Sequence, residues 1–181
     1  MNENRLCGID EAGRGPLAGN LVIAGVVLNS PIDALADSKK LTPKKREELY
    51  TIIVKNSQYH IVSFSPKEVD ELGISKCLSS GLEEIKSNLP HCNYLFDGNS
   101  SFGVADIETL IKADTLIPEV SASSILAKVT HDRDIIKMSK IYPEYGFERH
   151  KGYGTKAHIE AILKYGRCPI HRESFRVKGL D

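Results

Sequence analysis

No stretch of this chain is apolar for anything near the ~20 residues that a membrane helix requires. Its start, MNENRLCGID, has no charged segment followed by an apolar one, so no export signal is expected. The cysteines are few and scattered. Cys7, Cys77, Cys92 and Cys168 form no CxxC pair, which argues against a zinc ribbon or a disulfide framework. These absences together point to a cytoplasmic chain with reduced, mostly buried thiols. Repeats, low-complexity tracts and linkers are also missing, and 181 residues are expected to form one domain with a substantial core. There is no net charge either, since 24 Lys and Arg balance 24 Asp and Glu, so a nonspecific coat for DNA is not expected.

The charge is unevenly placed. From residue 149 to 181 there are eight Lys or Arg and three acids, so that segment is +5 and the preceding body is −5. A basic C-terminal fifth beside an acidic body suits a phosphate polymer held close to a metal-binding cluster.

Hydrophobic patterning predicts strands at Arg5 to Asp10, Asn20 to Leu28, Tyr59 to Phe64, Tyr94 to Asp97 and Ile107 to Lys112. Helices are predicted from Pro43 to about Asn56, Lys67 to Leu72, Ser75 to Leu89, Val120 to Met138 and Thr155 to Tyr165. The first two strands, joined by a Gly-rich link, should be antiparallel. Strands with helices between them imply an α/β fold, a mixed sheet flanked by helices. Residues 143–181 should form a small helical, basic part packed on it. The link from Asp97 to Ile107 is short for a parallel crossover, which leaves the direction of the last strand open.

GIDEAGRGPLAG, Gly8 to Gly19, is the densest motif. Asp10 and Glu11 follow an apolar run. Asp97 ends a strand, and Asp114 lies just beyond another. Ligands of open α/β sheets collect outside the carboxyl ends of strands. Four acids meeting there repel, by about 4 kcal/mol for two unit charges ~4 Å apart at an effective dielectric near 20. Divalent cations relieve that repulsion, and an all-oxygen donor set favours Mg²⁺ or Mn²⁺ over Zn²⁺. Two such ions can support phosphodiester hydrolysis. Turn roles are the structural alternatives for Asp10-Glu11 and Asp97, and a helix cap is the alternative for Asp114.

Lys39, Lys40, Lys44, Lys45 and Arg46 crowd the start of a helix, where cations oppose the macrodipole, so phosphate binding explains them better than helix stability. Tyr153 stands between Gly152 and Gly154 in RHKGYGT, free to be approached by a base or sugar. His150, His158 and His171 have no zinc-site spacing, and the serines at 121, 123 and 124 have no nucleophile-elbow context.

These motifs, taken in order, resemble bacterial ribonuclease HII. The match comprises GIDEAGRGPLAG, DSKKL at Asp37 to Leu41, FDG at Phe96 to Gly98, KAD ending at Asp114, SASSILAKVTHDRD at Ser121 to Asp134, HKGYGT at His150 to Thr155 and HRESF at His171 to Phe175. The resemblance implies a ribonuclease H-like fold and hydrolysis of the RNA strand of RNA–DNA hybrids. It also implies incision 5′ of single ribonucleotides embedded in duplex DNA by a monomeric, Mg²⁺- or Mn²⁺-dependent enzyme. By the same resemblance Asp10, Glu11, Asp97 and Asp114 are metal-binding and catalytic. Gly13, Arg14 and Gly15 read the 2′-hydroxyl, Tyr153 stacks at the ribose–deoxyribose junction, and Lys39 lies near a phosphate contact. His131 stands where the family often has Arg, which would weaken a phosphate contact there or make it pH-dependent. Two other readings remain at this stage: another two-metal nuclease, or a noncatalytic hybrid-binding module.

Overall fold

The computed structural model describes residues 5–35, 41–177 and 179–181. Five strands form one sheet in the order β3-β2-β1-β4-β5. They are β1 (Arg5–Ala12), β2 (Leu21–Leu28), β3 (Ser57–Phe64), β4 (Cys92–Asp97) and β5 (Ile107–Leu110). The helices are α1 (Pro43–Asn56), α2 (Pro66–Leu72), α3 (Ile74–Asn88), α4 (Pro118–Ile141), α5 (Phe147–His150) and α6 (Lys156–Tyr165). β1 pairs antiparallel with β2 and parallel with β4, and β4 pairs parallel with β5, so the sheet is mixed.

β2 is apolar almost throughout because both of its faces are covered. Leu21 and Ile23 face α3, where they join Leu78, Leu82 and Ile85. Val22, Ala24 and Val26 face α1 and α4, packing with Leu49, Ile53, Leu126 and Val129. The two-residue strand period thus feeds two cores from one run of side chains. On β1, Gly8 lets α4 lie directly on the strand: a Cβ there would stand 2.3 Å from the backbone of Glu119 and Val120.

Three helix starts carry the caps their sequences advertise. Thr42 and Thr155 accept from the backbone N–H three residues on, and Ser65 with Glu68 closes a full capping box. The structure differs from the pattern-based reading in two places that matter. β1 does not stop at Asp10, because β2 continues to offer pairing as far as Ala12↔Val22. β5 ends at Leu110 instead of reaching Lys112, which adopts a left-handed conformation (φ 61°) and turns the chain into a 3-10 turn at Ala113–Thr115. The direction left open by spacing is parallel, with Tyr94↔Ile107 in register and no helix in the connection.

Past α4 the chain builds a third apolar cluster. Tyr145, Phe147, Ile162 and Val177 pack against Ile135 of α4 and Ala18 of the Gly-rich segment. The C-terminal part therefore sits on the loop that leaves β1.

Candidate active site

Register brings the acids together. β1 and β4 run parallel with Ile9 opposite Phe96, where their pairing ends. The next residues are Asp10 and Asp97, which therefore emerge side by side at one end of the sheet. Glu11 follows Asp10 on β1. Asp97 then grips the turn beyond β5: Lys112 N–H donates to its Oδ1 at 2.9 Å and Asp114 N–H to its Oδ2 at 3.3 Å. Two carboxylate oxygens of one acid thus position the fourth acid.

The electrostatics are those of a crowded, partly dehydrated anionic site. Burial pushes the Asp10 carboxyl well above its ordinary range, and the Glu11 and Asp97 charges push further, while the Glu11 N–H and the Ser124 hydroxyl oppose them. Burial also raises Glu11; Arg14 opposes and Asp97 adds. Asp97 is raised by burial and by the charge of Asp114, against the two N–H groups it accepts from. The Arg14 guanidinium stands 3.6 Å from Glu11 Oε1, whereas Glu11 Oε2 is buried without a hydrogen-bond partner among the described residues. An acceptor left bare beside other carboxylates is a place for a hard cation. Among the described residues no three His, Cys, Asp or Glu side chains are already drawn into a closed ion-binding cluster. The acids feel one another's charge, and their donor set suits an oxygen-liganded divalent ion.

The Gly-rich segment leaves β1 directly beside them. Gly13 is left-handed (φ 85°), and a Cβ there would meet the Asn20 carbonyl at 2.3 Å and the His131 ring at 2.6 Å. Arg14 and Gly15 are exposed. The Tyr153 ring lies over Gly15, 3.8 Å from where a Cβ would be, and Tyr153 is 44% exposed. The Lys128 ammonium of α4 sits 5.8 Å from the centre of that ring and bonds Asp132 at 2.8 Å. One helix therefore runs from the acids (Ser124) past the aromatic (Lys128) to the underside of the loop (His131).

Of the sequence-derived site residues, Asp10, Glu11, Asp97 and Asp114 converge, and Gly13, Arg14, Gly15 and Tyr153 form an adjoining surface. Lys39 lies outside the described residues. His131 is buried at 1% exposure beneath Gly13 and Gly19, its Nδ1 3.1 Å from Asp132, so it supports the loop from below. His150, His158 and His171 do gather, but each ring nitrogen already has a protein partner. Sequence reading missed Lys128, Ser124 and Arg172. Arg172 is wholly buried and donates to the carbonyls of Gly13, Arg14 and Gly19. A lone Arg inside HRESF carries no sign of that, since its partners lie more than a hundred residues away.

A mixed sheet of this order, flanked by helices and carrying a small C-terminal helical part, is the ribonuclease H-like fold. Residues 7–178 match the family model for ribonuclease HII. The chain is 72% identical over its whole length to the ribonuclease HII of Sulfurovum sp., covering 97% of that protein. It is 55% identical to that of Aliarcobacter butzleri, over 97% of this chain and 92% of the relative. Among solved structures it superposes on the Archaeoglobus fulgidus ribonuclease HII, determined in complex with PCNA, with a TM-score of 0.79 at 28% identity and 96% coverage of both chains. The Pyrococcus horikoshii ribonuclease H2 gives 0.75 at 30% identity, over 96% of this chain and 94% of that one. This chain belongs to the ribonuclease HII family, and it is a nuclease that hydrolyses phosphodiester bonds.

Proposed function

We propose that the protein is a divalent-metal-dependent endoribonuclease in which Asp10, Glu11, Asp97 and Asp114 form the catalytic centre and the surface beside them selects ribonucleotides. It hydrolyses the RNA strand of RNA–DNA hybrids and incises 5′ of single ribonucleotides in duplex DNA. The products are a 5′-phosphate and a 3′-hydroxyl. The observation that carries the catalytic assignment is the β1–β4 register, which sets Asp10 beside Asp97 while Asp97 orients the turn bearing Asp114.

The four carboxylates would hold Mg²⁺ or Mn²⁺, with the bare Glu11 oxygen as one donor. When bound, such ions supply the Lewis acidity and charge neutralisation that in-line phosphodiester hydrolysis needs. The chain's own residues do the rest. Gly13 and Gly15 carry no side chains, which leaves the backbone of Gly13 to Gly15 close enough to test for a 2′-hydroxyl, the group that separates RNA from DNA. Tyr153, over Gly15, is placed to stack on the neighbouring sugar or base. Arg14 and Lys128 provide positive charge for the phosphates around it, and Lys39 is assigned the same role from its motif. Asp114 also borders a groove of about 380 Å³ between residues 31–35 and 115–118, open to an extended strand. We further assign the chain a single catalytic domain, a monomeric state and a cytoplasmic location. No helix among the described residues is long and apolar enough to cross a membrane.

The test is one gel with three duplexes: DNA containing one ribonucleotide, RNA–DNA hybrid, and all-DNA, each with Mg²⁺, Mn²⁺ or EDTA. The wild type should cut the first two only, and only with metal. Asp97→Asn should lose at least ~100-fold in rate. Substantial Mg²⁺-dependent cleavage by that variant sinks the catalytic assignment, and cleavage of the all-DNA duplex points to a different two-metal nuclease.

A further inference from the structure

Two neighbouring residues of the C-terminal tail reach the two halves of the ribonucleotide-selecting surface by separate routes. Arg172 reaches the Gly-rich loop. Its Nη2 donates to the Gly13 carbonyl at 2.6 Å and the Gly19 carbonyl at 2.8 Å, its Nε to Gly19 at 3.1 Å and its Nη1 to the Arg14 carbonyl at 3.3 Å. Its own N–H donates to Leu17 at 2.8 Å. A fully buried guanidinium spends its donors on carbonyls at both ends of one loop. Those oxygens are turned inward, and the other side of the loop is left to the ligand.

His171 reaches Tyr153. The chemistry of the partners sets each ring's tautomer. The Cys168 N–H lies 2.9 Å from His171 Nδ1, and an N–H can only donate, so Nδ1 is unprotonated. The Cys168 carbonyl, 3.2 Å from the same nitrogen, is already taken by the His171 N–H. His171 therefore carries its proton on Nε2 and donates to His158 Nε2 at 3.0 Å. His158 in turn carries its proton on Nδ1 and donates to the Tyr153 carbonyl at 2.9 Å. The bonds run in one direction from Cys168 through two buried neutral imidazoles to the residue that bears the aromatic ring. The two routes meet in the backbone, where His171 bridges Ala18 and Leu17 N–H donates to the Gly152 carbonyl at 2.8 Å.

We propose that His171 and Arg172 form a positioning pair for ribonucleotide selection. Arg172 holds the Gly13–Gly15 backbone, His171 acting through His158 holds Tyr153, and their adjacency in the chain keeps the two readers at one spacing. Neither residue touches substrate. The inference rests on the nuclease reading above and adds to it the reason that a sugar reader on β1's exit loop and a stacking residue on a distant loop act together.

The experiment uses full-length Arg172→Lys, His158→Asn and His158→Leu with the wild type. Asn keeps an amide donor near the position of Nδ1, and Leu keeps none. Melting temperature is measured for each. Cleavage is measured on single-ribonucleotide duplex and on RNA–DNA hybrid, and binding is measured in EDTA to single-ribonucleotide against all-DNA duplex. Misplacing a positioned group by about 1 Å can cost on the order of 10²-fold. His158→Leu should therefore lose ten- to a hundredfold more activity on the single ribonucleotide, where Tyr153 stacks at the junction, than on the hybrid, whereas Arg172→Lys, which loosens the 2′-hydroxyl reader that both substrates engage, should lose ten- to a hundredfold on both. Binding preference for the ribonucleotide should fall with it, and His158→Asn should recover part of both. Equal losses on both substrates for His158→Leu, a loss on one substrate alone for Arg172→Lys, or losses that follow the melting temperature alone, overturn the proposal. So does an unchanged binding preference. If Arg172→Lys does not fold, the His158 pair decides by the same ratio. A wild type that cuts neither substrate with Mg²⁺ or Mn²⁺ overturns the nuclease reading instead.

Discussion

Asp10 illustrates what single residues decide here. It lies inside β1, on the face covered by α4 that it shares with Gly8, and its carboxyl is held above its usual range by burial first and by the Glu11 charge next. Such a group is a cost to the metal-free fold and an asset once a cation arrives. Asp10→Asn should thus raise the melting temperature in EDTA by a few degrees while abolishing cleavage. Mg²⁺ should stabilise the wild type more than the variant, as expected for a ligand that binds only the folded state. Scanning fluorimetry with and without metal measures both. An unchanged or lower melting temperature for the variant in EDTA contradicts the electrostatic account. The adjacent acids were legible in the sequence because two carboxylates after a buried run have few structural uses. The buried Arg172 was not legible, because a cation declares its partners only once the chain has folded around it.

At the scale of elements, α4 and β1 organise the site. Their crossing depends on Gly8, where an added Cβ would stand 2.3 Å from helix backbone that cannot step aside. Gly8→Ala should push the helix off the strand and cost about 1–3 kcal/mol, typical of overpacking. At 2–4 °C per kcal/mol for a chain of roughly this size, that loss is visible in a melt. Activity should fall more than stability alone explains, since Ser124 and Lys128 ride on the displaced helix. A melting temperature within a degree of wild type shows that the contact relaxes freely. The strands and helices themselves were readable from periodicity and caps. The ends of β1 and β5 were not, because strand ends are set by how far the neighbouring strand continues to pair. The extra pairing of Glu11 and Ala12 with β2, and the left turn at Lys112, come from tertiary pairing that a single strand's pattern does not contain.

Across the whole molecule the C-terminal part is joined to the sheet through a buried polar layer that titrates. Burial lowers His158 to about 4, with the Tyr153 carbonyl opposing and His150 adding. Burial lowers His171 to about 4 as well, helped by His158, with Arg167 adding to the effect and the Cys168 backbone opposing it. Each ring takes up a proton near 6.5 when unfolded and only near 4 when folded. As the pH falls, the unfolded chain therefore binds protons first, and stability is full above about 6.5 and drains away between there and about 4. Melting temperatures from pH 7.5 to 4.5 should decline in the wild type and decline less in His158→Leu, which starts lower but has one group fewer to titrate. Parallel curves would mean that these rings are not the groups responsible. By itself the sequence determined the α/β class, most element positions and the family, because periodicity and short motifs are local. Only the tertiary structure decided that β5 runs parallel, that His131 lies buried under Gly13 and Gly19, and that His158 and Arg172 bond the backbones of Tyr153 and of Gly13, Arg14 and Gly19. Each of those depends on contacts between residues far apart in the chain, and pairing across such distances is settled by packing and by the partners that buried polar groups must find.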